Sequence, residues 1–407
     1  MPYVDRAVTG ELRKAVRSFP AVILTGPRRS GKTTLLRRLF PGASYHLLQD
    51  PDTIARLSSD PRSFLDDVTL PVILDEIQNV PEILNYVRAR IDRNPRATGQ
   101  WLLTGSQEAP LMRGVTESMA GRAAVLELLP FSSAEAPKVS ILLGGFPEVI
   151  ARPSVASLWF RSYIQTYLER DVRSISDIRD LATFRRFVAL AASRCGQMLN
   201  KTDFAAPLGV SVPTISQWLG ILETTGQILL VPPFYENFGK RLVKSPKLYF
   251  VDSGLASHLL GITSKGELER SPFLGPLFEG FVASEIVKHQ VNEGRRREIY
   301  YFRDRQGLEV DFVVPTSDRA LALMEVKASR TITPIMAGPL VRLRNAVRQY
   351  DVTSLIVNRG GPSDPGERTL TAVTPGVRSV TSDRLISALS QLRQDARRGR
   401  RRRTATR

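Results

Sequence analysis

Cysteine is almost absent from this 407-residue chain, since Cys195 is the only one. A single cysteine excludes a disulfide framework and a cysteine-based zinc site. It fits a reducing compartment, so we expect a cytoplasmic location. No apolar run approaches the roughly 20 residues that a membrane-spanning helix needs, and the first 20 residues lack the apolar core of a signal peptide. We therefore expect no membrane partner.

Acidic residues are also in short supply. The chain has 57 Lys and Arg against 40 Asp and Glu, a formal net charge of +17. Residues 391–407 carry +7 of this charge, because they hold eight Arg and one Asp. We predict that this arginine-rich tail is disordered. It either keeps the protein soluble or attracts nucleic acid, with DNA as the expected partner, through salt-sensitive contacts of little sequence specificity.

In the rest of the chain, the sequence pattern changes twice. Residues 20–150 alternate short apolar runs with helical stretches, which is typical of a parallel sheet covered by helices on both faces. Residues 151–270 are mostly helical in pattern, and residues 271–390 return to mixed strands and helices. We predict an α/β protein with domains at 1–150, 151–270 and 271–390, followed by the tail at 391–407.

The first domain contains a candidate phosphate-binding loop, or P-loop. Residues 26–33 read GPRRSGKT and fit G-x-x-x-x-G-K-[ST] between a strand pattern and a helix pattern. In such a loop, backbone N–H groups and the start of the next helix surround the phosphates, and the lysine reaches the β and γ phosphates. The residues predicted to contact ATP here are Gly26, Pro27, Arg28, Arg29, Ser30, Gly31, Lys32, Thr33 and Thr34.

Two adjacent carboxylates end the next long apolar run. Asp75 and Glu76 follow LPVIL, 43 residues after Lys32. A carboxylate from a strand beside the P-loop typically holds Mg²⁺, so Thr33 and Asp75 are the predicted metal residues. Glu76 is the predicted general base that orients and activates the attacking water. The pair therefore indicates an ATPase that uses ATP and Mg²⁺. The alternative is two solvated carboxylates at a strand end.

Two further positions are candidates for the hydrolytic site. A polar residue at the end of QWLLTGS, Thr104 or Ser106, either senses the γ-phosphate or is a simple polar exit from the strand. Arg122 precedes the next apolar run. It is either an arginine finger, from the same or a neighbouring subunit, that stabilises transition-state charge, or a surface arginine.

Residues 199–234 predict a winged helix-turn-helix. Gly209 separates two helical patterns, Ser211 caps the second, and the apolar run after Gly226 predicts a wing strand. The exposed face of the second helix has no Lys or Arg, which favours a packing role over groove reading. Basic residues of the next segment either contact a nucleic-acid backbone or lie in a solvated loop: Lys240, Arg241, Lys244 and Lys247.

Charged residues of the third domain fall on two predicted neighbouring strands. Asp311 lies in LEVDFVV, with Glu309 two residues before it, and Glu325 and Lys327 share one face of ALALMEVKA. Together with Glu279 in a preceding helix, their order resembles the PD-(D/E)XK nuclease pattern. A second Mg²⁺ site would then use Glu279, Asp311 and Glu325, with Lys327 activating water or steadying the phosphate. The alternative is a solvated or ion-paired polar face.

A series of motifs in one order resembles a known family. GPRRSGKTT, VILDEIQNVPEI, WLLTGSQ, MAGRAAVLELLPF, LLGGFPEV and YIQTYLERDV are similar to bacterial and archaeal AAA-type ATP-binding proteins with a C-terminal domain of unknown function. The resemblance continues through LVKSPKLYFVDSGLASHLLG, LFEGFVASEIVK, LEVDFVV and MEVKAS, and so covers nearly all of the chain except the tail. It implies an AAA-like P-loop ATPase core, a winged-helix segment and a restriction-endonuclease-like C-terminal fold.

These features lead to one functional expectation and two alternatives. We expect an ATPase whose nucleotide hydrolysis is coupled to a nucleic-acid-binding C-terminal domain, with or without nuclease activity. The first alternative is a nucleotide-switched DNA-binding or regulatory protein, and the second is a protein-binding scaffold. Assembly into a homo-oligomer is compatible with each of them.

Overall fold

The computed structural model describes residues 3–105, 118–168, 180–234, 245–360 and 370–405; of residues 167–168 and 397–405 it describes the backbone alone. The predictions made for Ser106, Lys240, Arg241 and Lys244 lie outside these residues.

The α-helices of the described residues are α1 (Thr9–Ser18), α2 (Lys32–Leu39), α3 (Pro51–Ser59), α4 (Pro61–Asp66), α5 (Ile83–Arg93), α6 (Pro147–Ala151), α7 (Ala156–Tyr163), α8 (Leu181–Ser193), α9 (Thr202–Leu208), α10 (Val212–Thr224), α11 (Ser253–Leu259), α12 (Lys265–Arg270), α13 (Leu274–Asn292), α14 (Gly338–Ala346) and α15 (Leu385–Ala405). A π-helical turn, Ile164–Leu168, follows α7.

The strands are β1 (Ala21–Thr25), β2 (Ser44–Leu47), β3 (Val72–Asp75), β4 (Trp101–Thr104), β5 (Ala123–Glu127), β6 (Ile228–Val231), β7 (Lys247–Phe250), β8 (Tyr300–Arg303), β9 (Glu309–Ser317), β10 (Ala320–Lys327), β11 (Asp351–Asn358), β12 (Thr371–Thr374) and β13 (Val377–Thr381).

The N-terminal sheet has the order β2-β3-β4-β1-β5, and each pair of neighbours is parallel. The central strand β1 is buried along its length. Ile23 packs in a cluster with β3 and α5, whereas Val22 and Leu24 pack in a second cluster with α1 and α2. Since alternate side chains of a strand point to opposite faces, both faces of the sheet are covered. The predicted α/β architecture is confirmed for this part of the chain.

The carboxyl ends of three neighbouring strands meet at one edge of this sheet. Leu24 of β1 pairs with Thr104 of β4, and Leu74 of β3 pairs with Leu103. The P-loop leaves β1 after Thr25, and α2 begins at Lys32. The P-loop, the end of β3 and the end of β4 are therefore neighbours in space.

The middle of the chain contains two helices joined by a short turn, followed by a hairpin. The chain bends by 110° between α9 and α10. Gly209 adopts a left-handed conformation (φ 67°), and the Ser211 hydroxyl accepts the N–H of Thr214. β6 and β7 then pair as an antiparallel hairpin. The predicted turn and cap are confirmed, while a nucleic-acid-binding role for this segment stays a prediction.

The C-terminal sheet is mixed, with the order β12-β13-β11-β10-β9-β8. Residues of β10 alternate between its faces: Ala322 and Met324 belong to the cluster that contains α13, and Leu321 and Leu323 to the cluster that contains α14. The α13 cluster continues into α8–α11 of the middle segment, so the two parts share one hydrophobic core. α13 is buried along much of its length and lies at the centre of this core.

The last helix corrects one prediction. α15 runs from Leu385 to Ala405, where the sequence predicted a disordered tail from residue 391. Leu385, Ala388 and Leu389 are buried and anchor its first turns. Arginine is a good helix former, which permits the helix to continue through the arginine-rich stretch.

Within the described residues, no single helix has both the length and the apolar character that a bilayer crossing requires. The bent pair α9–α10 meets the length and composition criteria only when its two helices are taken together.

Candidate functional site

Glycine geometry shapes the P-loop. Gly26 has a φ of 138°, and a Cβ at this position would lie 2.2 Å from the carbonyl oxygen of Leu128. Gly31 has a φ of 100° and is the N-cap of α2. The Lys32 ammonium donates to the carbonyls of Gly26 and Pro27, both at 3.0 Å. The two glycines of the motif are thus at the positions where the backbone requires them.

Asp75 is the point where three elements meet. Its buried carboxylate accepts hydrogen bonds from Thr33 of α2 and Tyr45 of β2, both at 2.8 Å, and from Thr104 of β4. Burial, followed by the neighbouring Asp75 carboxylate, raises the pKa of Tyr45. The sequence identified Thr33, Asp75 and Thr104 as site residues. It missed Tyr45, because no motif marks this residue and only the pairing of β2 with β3 brings it to the site.

Thr33 and Asp75 fit a magnesium ion. Mg²⁺ prefers hard oxygen ligands, is held by one or two carboxylates, and keeps several waters. The hydroxyl of Thr33 and the carboxylate of Asp75 are such ligands, and they lie 2.8 Å apart beside the P-loop. Both residues line the cavity described below, where an ion would also reach a bound phosphate.

Glu76 leaves β3 in an unusual backbone conformation. Its φ of 61° is left-handed, which is uncommon for a residue other than glycine. Its N–H donates to Thr104 Oγ1 at 3.3 Å, and its carboxylate accepts from Gln78 and lies 3.9 Å from the Arg28 guanidinium. Strain of this kind is concentrated at functional sites. Here it accompanies a turn that brings the Glu76 side chain to the cavity.

A cavity of about 870 Å³ opens over these residues. Small-molecule sites have volumes of roughly 300–1,000 Å³, so the cavity is large enough for a whole nucleotide. One wall is formed by the P-loop and the end of β3: Arg28, Arg29, Gly31, Lys32, Thr33, Thr34, Asp75 and Glu76. Further lining residues come from α7 and the π-helical turn: Trp159, Ser162, Tyr163 and Thr166. Gly26, Pro27 and Ser30 lie outside the lining.

The structure distinguishes between the alternatives predicted for Thr104 and for Arg122. Thr104 is fully buried behind Asp75 and does not line the cavity, so it supports Asp75 rather than facing the γ-phosphate. Arg122 precedes β5, where its carbonyl accepts the N–H of Ala21 and its guanidinium pairs with Asp92 at 2.6 Å. The P-loop leaves the other end of β1, roughly 13 Å away. The prediction that Arg122 acts as an arginine finger within its own subunit is therefore wrong. Its action on a neighbouring subunit stays a prediction.

Arg6 is a site-supporting residue that sequence reasoning missed. Its guanidinium donates to the carbonyls of Ser30 at 2.9 Å and Leu129 at 2.6 Å, and pairs with Glu135 at 2.9 Å. Both charged side chains are buried. Since Ser30 belongs to the P-loop, Arg6 fixes the loop against the segment that follows β5. The N-terminal stretch carries no motif that would have indicated this.

The nucleotide site touches the turn between α10 and β6 at two points. Pro27 packs on Gly226 (φ 70°), where a Cβ would lie 2.9 Å from the proline ring. The buried amide of Gln227 donates to the hydroxyl of Tyr163 at 3.1 Å, and Tyr163 lines the cavity. The P-loop and α7 are thus in direct contact with the turn between α10 and β6.

The charged residues predicted in the C-terminal domain come together. β9 and β10 are antiparallel neighbours, and Asp311 accepts the N–H of Val326 at 2.8 Å. Lys327 donates to Glu325 at 2.7 Å. We call the full group the acidic cluster: Glu279, Glu309, Asp311, Glu325, Lys247 and Lys327.

Lys247 lies among the carboxylates of the acidic cluster. Its ammonium is 2.7 Å from Glu309, 3.1 Å from Glu279 and 3.7 Å from Asp311, and its side chain is 4% exposed. The prediction that Lys247 contacts a nucleic-acid backbone is wrong, because this side chain is buried in ion pairs. In the part of the chain that the structure describes, no group of three or more His, Cys, Asp or Glu is arranged to hold a metal ion. The second Mg²⁺ site is not formed in this arrangement.

Burial and crowding shift the pKa values of the acidic cluster. Burial, followed by the nearby Asp311, raises the pKa of Glu279 and that of Glu325 to about 7. Burial also raises the pKa of Asp311. Burial acts to lower the pKa of Lys247, but the surrounding carboxylates outweigh it and raise that pKa. The lysine is therefore charged, and several carboxylates share its single positive charge.

The parallel sheet, the P-loop and the Asp75–Glu76 pair define an AAA-type P-loop ATPase domain, and residues 18–136 match the AAA domain family. Residues 136–266 match the domain of unknown function DUF8612, and residues 274–374 match the domain of unknown function DUF4143. The predicted combination of an AAA-type domain with a C-terminal domain of unknown function is confirmed. These matches do not extend to a nuclease fold.

Two mycobacterial proteins resemble nearly the whole chain. They are "Uncharacterized protein Rv2008c" of Mycobacterium tuberculosis and "Uncharacterized protein Mb2031c" of Mycobacterium bovis, each 32% identical over 398 residues, or 95% of this chain and 87% of theirs. The chain belongs to the same protein family as these two. Among solved structures, the Walker-type ATPase PABY2304 of Pyrococcus abyssi aligns with a TM-score of 0.44 and 16% identity, over 63% of this chain and 96% of that one.

Proposed function

We propose that this chain binds ATP with Mg²⁺ in the cavity of about 870 Å³ and hydrolyses its γ-phosphate. The observation that carries the proposal is the convergence of Lys32, Thr33, Asp75 and Glu76, from two separate segments, onto that one cavity. The AAA domain match over the same residues supports it.

The mechanism follows from the groups that line the cavity. The P-loop amides and Lys32 bind the β and γ phosphates. Thr33 and Asp75 would hold Mg²⁺, which when bound neutralises charge on the phosphate oxygens. Glu76 orients the attacking water and accepts its proton. Tyr45 and Thr104 donate hydrogen bonds to Asp75, so that its carboxylate is oriented before the nucleotide binds.

Two substitutions separate binding from chemistry. We expect Lys32→Ala to lose ATP binding, because it removes the cation that faces the phosphates. We expect Glu76→Gln to bind ATP as tightly as the wild type and to lose at least about 100-fold in kcat, because an amide does not accept the proton of water. Glu82→Gln, on an exposed residue of the same segment, is the matched control. Turnover at the wild-type rate in either site variant would contradict the assignment.

We further propose that the nucleotide cycle moves the C-terminal part of the chain through α13. Glu285 of this helix accepts the N–H of Ser133 at 2.8 Å, and Lys288 donates to the carbonyl of Phe131 at 2.9 Å. Both residues of α13 are buried. The same helix carries Glu279 of the acidic cluster, so one rigid element connects the segment after β5 with the C-terminal sheet.

Nucleic acid, and DNA in particular, is the proposed macromolecular partner. The net charge of +17 and the arginine-rich end of α15 support it. The exposed face of α10 has no Lys or Arg, so the expected contacts are to phosphates and not to base edges. Titration of labelled duplex DNA at increasing KCl tests this. We expect affinity to fall linearly on a log–log scale, with a shallower slope when the arginines of 397–403 are replaced by serine.

The same DNA titration, repeated with ATP present, tests coupling. We expect DNA to raise ATP turnover and ATP to change DNA affinity. If no salt-sensitive DNA binding is found, the protein-binding scaffold becomes the better explanation. A cytoplasmic location and assembly into a homo-oligomer remain predictions from the sequence.

A metal-dependent nuclease is the second candidate function. The observation that favours it is the side-by-side placement of Asp311, Glu325 and Lys327 on neighbouring strands. Cleavage would require the carboxylates to exchange Lys247 for a divalent cation. Incubation of plasmid DNA with the protein and Mn²⁺ or Mg²⁺ tests this. Products that disappear with Asp311→Asn support a nuclease, and their absence from the wild type contradicts constitutive cleavage.

A further inference from the structure

Lys247 reaches the acidic cluster from a different part of the fold than the acids do. It is the first residue of β7, in the hairpin that follows the helix-turn-helix. Glu279 comes from α13, and Glu309 and Asp311 come from β9. One ammonium thus lies within 3.7 Å of three carboxylates of two other elements. The hairpin supplies the positive charge that these acids need.

A carboxylate oxygen in the same cluster lacks a partner. Glu325 Oε1 accepts from Lys327, but Glu325 Oε2 is buried and has no hydrogen-bond partner. The Glu325 side chain is 9% exposed. A buried unpaired carboxylate oxygen is unfavourable, so Glu325 contributes to the cluster an acceptor that a positive ligand would satisfy.

We infer that Lys247 is a tethered counter-ion that occupies the place of a divalent cation in the acidic cluster. While its ammonium lies between Glu279, Glu309 and Asp311, these carboxylates do not bind a metal. When the ammonium is withdrawn, the same oxygens and the free oxygen of Glu325 become a divalent-cation site. Carboxylate oxygens are the ligands that Mg²⁺ and Mn²⁺ prefer. The inference uses the cluster of the second candidate function but does not require cleavage.

The position of the hairpin connects this counter-ion to the nucleotide site. β7 pairs with β6, and β6 begins next to Gln227, which binds Tyr163 in the wall of the nucleotide cavity. A change at the nucleotide site that displaces the hairpin would also displace Lys247. The lysine is therefore suited to keep the acidic cluster closed to metal in one nucleotide state.

Manganese binding by the full-length, nucleotide-free chain tests the inference. Electron paramagnetic resonance of free Mn²⁺ measures binding by the wild type and by Lys247→Met. We expect Lys247→Met to gain a Mn²⁺ site at least about tenfold tighter than any site of the wild type, and Asp311→Asn in the same variant to remove it. Lys288→Met is the matched control, because it also removes a buried lysine that is paired with a glutamate of α13. It should gain no site.

Lys247→Met leaves several acids without a counter-charge, so the double variant Lys247→Met/Glu309→Gln, with one acid fewer, is measured as well. Mn²⁺ binding by either variant, lost with Asp311→Asn, supports the inference. Two well-folded variants that bind no more Mn²⁺ than the wild type would overturn it and leave an ordinary structural ion-pair network. A wild-type site lost with Asp311→Asn would overturn it too.

The same proteins provide a separate test of the second candidate function, the metal-dependent nuclease. DNA cleavage by the Mn²⁺-loaded Lys247→Met variant shows that both the inference and the nuclease hold. Mn²⁺ binding without cleavage supports the inference and excludes the nuclease.

Discussion

The buried hydroxyl of Thr104 lies directly behind the predicted metal residue, and Thr104→Val tests whether it positions the hydrolytic site. The hydroxyl donates to Asp75 and accepts the N–H of Glu76 at 3.3 Å. Valine has nearly the same shape, so the substitution removes both hydrogen bonds and leaves two buried polar groups without this partner. Because Thr104 does not line the cavity, ATP itself loses no contact.

The size of the effect follows from the lost bond to a charged group. Such hydrogen bonds contribute about 1.5–3 kcal/mol, and Thr104 is fully buried, so solvent does not screen the loss. If this energy is expressed in the transition state, kcat falls roughly 10- to 150-fold, since about 1.4 kcal/mol is a factor of ten. The KM for ATP should stay within about twofold, because Lys32 and the P-loop are unchanged.

Steady-state ATP turnover measures this effect, with circular dichroism to verify folding. The control is Thr183→Val, which also removes a hydroxyl–carboxylate hydrogen bond, to Asp180 at 2.5 Å, but outside the cavity lining. It should leave kcat unchanged. A wild-type kcat for Thr104→Val would refute the positioning role. A tenfold rise in KM with an unchanged kcat would instead indicate a direct contact with nucleotide.

Three other substitutions give distinct outcomes. Gly26→Ala should abolish ATP binding in a calorimetric titration, because its Cβ would lie 2.2 Å from the Leu128 carbonyl oxygen; retained binding would show that the loop adapts. Arg122→Ala should leave turnover within about twofold, because this side chain pairs with Asp92 at the other end of β1; a tenfold loss would indicate action on a neighbouring subunit. Glu325→Gln should alter the pH dependence of unfolding. The pKa of Glu325 is raised to about 7 by burial and by Asp311, so its contribution to stability is present below its unfolded pKa and is lost as pH rises to about 7. Relative to the wild type, the variant should gain on the order of 1–3 kcal/mol between pH 5 and pH 8 in denaturant titrations, and no change would contradict the raised pKa.

The nucleotide site was largely predictable because its signals are local. The P-loop is a contiguous motif, and the glycines at 26 and 31 adopt positive φ angles that other residues rarely adopt. Asp75 was found because the carboxyl ends of parallel strands share one edge of a sheet. Arg6 and Tyr45 were not found, because each reaches the site from an element with no motif of its own.

The position of Arg122 relative to its own P-loop could not be predicted for a related reason. Its place before an apolar run is visible in the sequence, but the end of the sheet at which the residue lies depends on strand direction and pairing. Since β5 runs parallel to β1, a residue before β5 is at the edge opposite the P-loop.

In the C-terminal domain, the sequence pattern predicted one feature of the acidic cluster and missed another. The two-residue spacing of Glu325 and Lys327 placed both on one face, and the structure pairs them. Lys247 was assigned to a nucleic-acid contact or to a solvated loop because it follows other basic residues in sequence. Its burial depends on the docking of β7 beside β9 and α13, a long-range contact that composition does not reveal.

The proposed function depends on the binding of ATP with Mg²⁺ by the P-loop together with Thr33 and Asp75. Isothermal titration of ATP into the purified chain, with and without Mg²⁺ and in parallel with Lys32→Ala, tests it most directly. We expect one saturable site, strengthened by Mg²⁺, in the wild type and none in Lys32→Ala. No binding by the wild type at millimolar ATP, or equal binding by both proteins, would contradict it.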